Sequence, residues 1–186
     1  MSVSDVLRRV TGALTAASIP YMLTGSFASA YHGAARSTRD IDFVIEATPE
    51  QLTDFVQRLP REQYYADLDA ALEAYHRQSL FNIIDMASGW KIDLIIRKTR
   101  PFSSEEFRRR QLVNLQDLSL FVASAEDVIV SKLEWSKLAQ SQRQIEDVAA
   151  ILRIRRDSLD RSYLDKWIAE LRLESFWIDA QRAADL

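Results

Sequence analysis

The chain has 186 residues, 47% hydrophobic and 27% charged, with a net charge of −3, which suits one compact domain or one domain with a small helical appendage and provides no global field for nucleic acid or an anionic membrane. It has no cysteine, which excludes disulfides and thiolate chemistry, and its two histidines, His32 and His76, have no metal-ligand spacing. No apolar run approaches the roughly 18 residues of a membrane span, and Asp5, Arg8 and Arg9 interrupt the N-terminal stretch where a signal peptide needs an apolar core, so a cytoplasmic protein without membrane association is expected.

Val3, Val6, Leu7, Val10, Leu14 and Ala17 recur at helical spacing and predict a first helix that ends before Pro20. Tyr21–Thr24 reads as a short strand, Gly25-Ser26 as a turn, and 27–32 as a short helix closed by Gly33. A loop over 34–39 leads into a strand over 40–46. Thr48 as N-cap and Pro49 in the first turn open a helix to about Leu59. A helix is expected over 66–77, then two β-rich runs, 79–86 and 90–97, joined at Ala87-Ser88-Gly89 as a hairpin. Residues 105–110 read as a short helix and 118–123 as a strand. Ser124, with Asp127 three residues on, caps a helix to about Gln140, and two more helices follow over 144–153 and 160–173. The first ~123 residues are therefore mixed α/β and the rest helical.

The strand Asp40-Ile41-Asp42-Phe43-Val44-Ile45 sets the chemical question. Alternation puts Asp40, Asp42 and Val44 on one face and Ile41, Phe43 and Ile45 on the other, which packs inward. Two carboxylates side by side need a counter-charge. Arg36 and Arg39 are near in sequence; a divalent cation such as Mg²⁺, which takes carboxylate and phosphate oxygens, is the other solution. In Lys91-Ile92-Asp93-Leu94-Ile95-Ile96 a third acid sits alone among Ile and Leu. If this strand lies beside the first, three carboxylates converge, an arrangement suited to two divalent ions. Gly25-Ser26 at a strand-to-helix turn offers backbone N–H groups and a hydroxyl to a phosphate.

With Gly25-Ser26, Arg36-x-Thr38-x-Asp40-Ile41-Asp42 and Asp93 in this order, the chain resembles the DNA polymerase β-like nucleotidyltransferase superfamily, in particular its minimal bacterial members. The resemblance implies an α+β fold: a mixed β-sheet flanked by helices as catalytic core over 1–123, then a C-terminal helical region over 124–186 packing on the active-site side. It implies transfer of a nucleoside monophosphate from an NTP to a hydroxyl of RNA, protein or a small molecule. Asp40, Asp42 and Asp93 would hold two Mg²⁺ ions, and Gly25, Ser26, Arg36 and Thr38 would bind the nucleotide. The segment from Ser124 through Lys132, with Arg143-Gln-Ile-Glu-Asp147, is similar to the helical half of abortive-infection AbiEii-like enzymes. That adds Lys132 as a catalytic residue and Asp147 as a nucleotide-site residue, and a possible antitoxin partner. A nucleotide- or partner-binding module with little turnover is the alternative. The basic run 97–110 reads either as a guide for RNA or triphosphate or as a solvated helix face. Trp135, Trp167 and Trp177 fall at helical apolar positions that suit core or interface, and Trp167, Phe176 and Trp177, taken as exposed, suggest a homodimer or partner contact.

Overall fold

The computed structural model describes residues 2–115 and 117–185. In chain order it contains α1 (Val3–Ala16), β1 (Tyr21–Thr24), α2 (Gly25–Tyr31), β2 (Asp40–Ile45), α3 (Pro49–Arg58), β3 (Tyr64–Ala66), α4 (Leu68–Arg77), β4 (Leu80–Asp85) and β5 (Lys91–Ile96). There follow α5 (Pro101–Arg108), β6 (Gln111–Leu115), β7 (Leu118–Val122), α6 (Ala125–Ala139), α7 (Gln142–Arg155), a 3₁₀ turn (Arg156–Ser158), α8 (Arg161–Leu171) and α9 (Glu174–Ala183). These elements form two compact units. One holds the chain up to Thr24 together with Ser37–Val122, the other Gly25–Arg36 together with the chain from Ala123 onward.

The first unit is built on a seven-stranded mixed sheet of order β3-β4-β5-β2-β1-β7-β6. β2 and β5 run parallel at its centre; β1 flanks β2 and β4 flanks β5, both antiparallel. One sheet face is continuously apolar: Phe81 and Ile83, Ile92 and Leu94, Ile41 and Phe43, and Leu23 are all buried, as alternation along each strand requires. The helices carry local start signals. Ser2 and Asp5 form a reciprocal capping box on α1, Thr48 and Gln51 form another on α3, and Asp67 caps α4. Val10, Leu14, Leu52 and Phe55 of α1 and α3 are fully buried, each worth roughly 1.5–3 kcal/mol relative to exposure. Arg9 on α1 ties that helix to the sheet through Tyr64 Oη and the buried carboxylate of Asp85.

In the second unit α2 and the C-terminal helices share a core that includes Val128, Ile129, Leu133, Val148, Ile151, Leu152 and Leu164. Ser124 Oγ accepts the Asp127 amide and donates to its carboxylate, giving the expected α6 start. Gly33 ends α2 with φ +119°, an angle that favours glycine, and a Cβ there would lie 2.6 Å from Ile154 Cδ1 on α7, so that side chain would have to shift.

The mixed sheet with flanking helices agrees with the fold expected from sequence. The differences are local. β3, β6 and α9 were not anticipated, and α2 begins at Gly25 rather than Phe27. Trp167 and Trp177 are buried in the second unit and Phe176 is half-buried, which corrects the reading of these aromatics as an exposed association surface. Among the described residues no helix is long and apolar enough to cross a membrane.

Candidate active site

The strand registers place the three acids on one sheet face. Asp42 is the Cα partner of Asp93 across the parallel β2–β5 pair, Asn82 partners Asp93 from β4, and Thr24 partners Asp42 from β1. Partners in register point to the same side, so Asn82, Asp93, Asp42 and Thr24 form a polar row across four strands. The next row is Ile84, Lys91 and Asp40. At the usual inter-strand spacing of roughly 4.8 Å, Asp42 and Asp93 are immediate neighbours. The opposite face of the same strands is the apolar core, which fixes the rotation of each strand and thereby the direction of its acid.

A counter-charge for two of these acids is Lys91. Its Nζ lies 3.0 Å from Asp93 Oδ2 and 3.5 Å from Asp40 Oδ1, and the Asp93 bond raises the amine above its ordinary range. Arg36, one of the two arginines anticipated for this purpose, pairs with Asp147. Asp93 is buried, and its Oδ1 has no hydrogen-bond partner. Among the described residues no three acidic or imidazole side chains are gathered tightly enough to form a ready-made cation cage. The donor set still suits a hard divalent ion. The three acidic side chains offer only carboxylate oxygens, two of them are neighbours across one strand pair, and one buried oxygen is unsatisfied. Thr38 Oγ1 accepts the Asp40 amide at 3.2 Å and so fixes the chain where it enters β2.

A second polar group belongs to the helical unit. Lys132 Nζ on α6 donates to Asp147 Oδ2 on α7 at 2.6 Å and to Gln144 Oε1 at 3.0 Å. Arg36 Nε reaches both Asp147 oxygens, at 3.0 and 3.2 Å, and Arg36 Nη2 donates to Ser26 Oγ at 2.5 Å. Lys132, Asp147 and Ser26 are all buried. Ser26 is thus the end of a continuous polar chain, Lys132–Asp147–Arg36–Ser26. Because its oxygen accepts from the guanidinium, its own O–H remains available to donate. Gly25, one residue earlier, has φ +59°, and it directly follows Thr24, the residue that pairs with Asp42.

Of the polar side chains in these two groups, sequence reasoning missed Thr24, Asn82, Lys91 and Gln144. His32, weighed from sequence only as a metal ligand, lies in the helical unit; its Nε2 donates to the Ala123 carbonyl at 2.8 Å while Nδ1 is buried without a partner. Burial holds this imidazole below its ordinary value; the Ala123 carbonyl opposes that shift and Arg155 reinforces it. The basic run 97–110 is largely engaged: Arg97 pairs with Glu46, Arg108 with Glu105, and Arg110 lies over Phe107 and Phe121.

Solved structures resemble the chain over nearly its whole length, among them these two. One is the antibiotic-resistance factor ANT(2'')-Ia, with TM-score 0.59 and 12% identity over 98% of each chain. The other is an antigenic nucleotidyltransferase-like protein from Paracoccidioides brasiliensis, with TM-score 0.52 and 14% identity over 95% of this chain and 89% of that one. At such identities the likeness is one of fold. No curated protein matches the chain. A family profile does match, over residues 3–183, and the chain accordingly belongs to the family described as "Nucleotidyltransferase of unknown function (DUF6036)".

Proposed function

We propose that the chain transfers a nucleoside monophosphate from an NTP to an acceptor hydroxyl, with Asp40, Asp42 and Asp93 holding Mg²⁺. The reading is carried by the in-register placement of Asp42 beside Asp93, whose buried Oδ1 has no partner. When bound to these acids, Mg²⁺ supplies charge neutralisation on the phosphates and acidifies the acceptor hydroxyl. The acceptor oxygen bonds to the α-phosphorus, the bond to the β-phosphate oxygen breaks, and pyrophosphate leaves. Asp93 takes the acceptor proton at its carboxylate. The Gly25 backbone and the Ser26 hydroxyl contact the triphosphate, and Arg36 and Thr38 shape the nucleotide site. Lys132 and Asp147 act through Arg36, holding the Ser26 hydroxyl in the orientation that leaves its proton to donate.

The acceptor is a hydroxyl of RNA, protein or a small molecule, and the first two would fit a toxin–antitoxin or phage-defence role. Transfer of label from each α-labelled NTP, with Mg²⁺ or EDTA, to total tRNA, to protein and to aminoglycosides separates these classes. The drugs belong in the panel because a structurally similar protein is an antibiotic-resistance factor. Asp42→Asn and Asp93→Asn should each lower transfer by at least about 10²–10³-fold, with the unfolding transition retained. Undiminished transfer in either variant would overturn the assignment. Mg²⁺-dependent nucleotide binding without transfer to any acceptor would instead indicate a binding module.

A further inference from the structure

We propose that Lys91 is a resident counter-cation of the acidic face, one that a divalent ion must displace; this rests on the reading of Asp40, Asp42 and Asp93 as cation ligands. Lys91 precedes Asp93 by two residues on β5 and is the in-register partner of Asp40 on β2. Strand geometry alone therefore aims its side chain at the same face as all three acids. The ammonium bridges two of them, at 3.0 Å and 3.5 Å. It takes Asp93 Oδ2 and leaves Oδ1 unpartnered. Without it, carboxylates on adjacent strands would face one another at close range, an unfavourable arrangement. Lys91 thus stabilises the face in the absence of an ion.

The same side chain can leave readily. It is 41% exposed, against 12% for Asp93, and its flexible four-carbon stem lets the ammonium swing into water while the carboxylates stay fixed by the sheet. The acids are then available to a divalent ion only in competition with Lys91. It follows that weak ion binding should strengthen when a nucleotide brings phosphate oxygens of its own.

The test is calorimetric titration of the nucleotide-free protein with Mn²⁺, comparing wild type, Lys91→Gln and Lys91→Arg. Loss of two partly exposed ion pairs should tighten Mn²⁺ binding in Lys91→Gln on the order of tenfold. Lys91→Arg keeps the competing charge and should stay near wild type. A second readout needs no variant. Acylation of the Lys91 amine, followed peptide by peptide by mass spectrometry, should accelerate on adding Mn²⁺. Equal or weaker Mn²⁺ affinity in Lys91→Gln, or unchanged acylation in wild type, overturns the inference. If all three proteins bind Mn²⁺ alike, Lys91 is not a competitor but the acids remain ligands. If none binds, the ligand assignment falls and the role of Lys91 with it.

Discussion

Removing Asp147 should be the most damaging single change in the helical unit, because one carboxylate serves two cations. Its Oδ2 accepts from Lys132 at 2.6 Å and from Arg36 at 3.0 Å. The Lys132 side chain is 5% exposed and that of Arg36 22%, so in Asp147→Ala the lysine cannot rehydrate where it stands. Gln144 Oε1 remains as a neutral acceptor. Breaking a buried pair in this way costs about 3–5 kcal/mol, whereas replacing both partners with apolar side chains is often close to neutral. Arg36→Ala leaves the Lys132–Asp147 pair intact and should cost about 1–2 kcal/mol. The expected order is therefore Asp147→Ala well above Arg36→Ala, with Lys132→Met/Asp147→Leu recovering most of the loss. In thermal terms Asp147→Ala corresponds to a fall of roughly 6–20 °C. Urea unfolding followed by tryptophan fluorescence is the appropriate assay, since three of the four tryptophans, Trp135, Trp167 and Trp177, belong to this unit. A double variant as unstable as Asp147→Ala, or an Asp147→Ala variant less destabilised than Arg36→Ala, would refute the argument.

Two other perturbations probe the same unit. The folded His32 imidazole has its pKa below the ordinary 6.5 because it is buried. The unfolded chain therefore binds the extra proton first, and stability should be complete above about 6.5 and fall as pH drops through that value towards the folded one. Denaturation midpoints from pH 7.5 to 5 should show this slope in wild type and a shallower one in His32→Gln; parallel slopes would exclude His32 as the source. Gly33→Ala should cost on the order of 1–3 kcal/mol through its backbone angle and the clash with Ile154. Ile154→Ala in the same chain should restore only part of it, because the angle remains. Full rescue would mean that the steric contact alone matters.

The acid pattern was legible because its two constraints are local. Alternation in β2 and β5 fixes the face of each carboxylate, and apolar neighbours identify the buried side. What pairs with them was not legible. Lys91 meets Asp40 through a parallel register between strands about fifty residues apart in sequence, and nothing in either strand alone encodes that offset. Arg36 looked available to the acids because it is four residues from Asp40, yet Asp147 holds it from 111 residues away. Among secondary elements, β3 has only three residues, too few to show alternation, and α9 is preceded by Leu173, an N-cap with no side-chain bond to announce the helix. α2 starts two residues early because Gly25 takes a left-handed angle at the junction with β1, a choice that Gly-Ser permits but does not dictate. The choice between core and exposed surface for the C-terminal aromatics was open for a related reason: their burial depends on helix packing within the unit, which residue type alone does not reveal.

The grouping of Gly25–Arg36 with the helices from Ala123 onward has an evolutionary consequence. The chain passes from one unit to the other after Thr24, after Arg36 and after Val122, so no single crossover can exchange the helical unit as a cassette. A recombinant joined at 122/123 would pair His32 and Gly33 of one parent with the Ala123 carbonyl and Ile154 of another. Homologues should therefore show residues 25–36 changing together with α6 and α7 rather than with the sheet that surrounds them in sequence, and chimaeras should fold only when that twelve-residue insert travels with its helices.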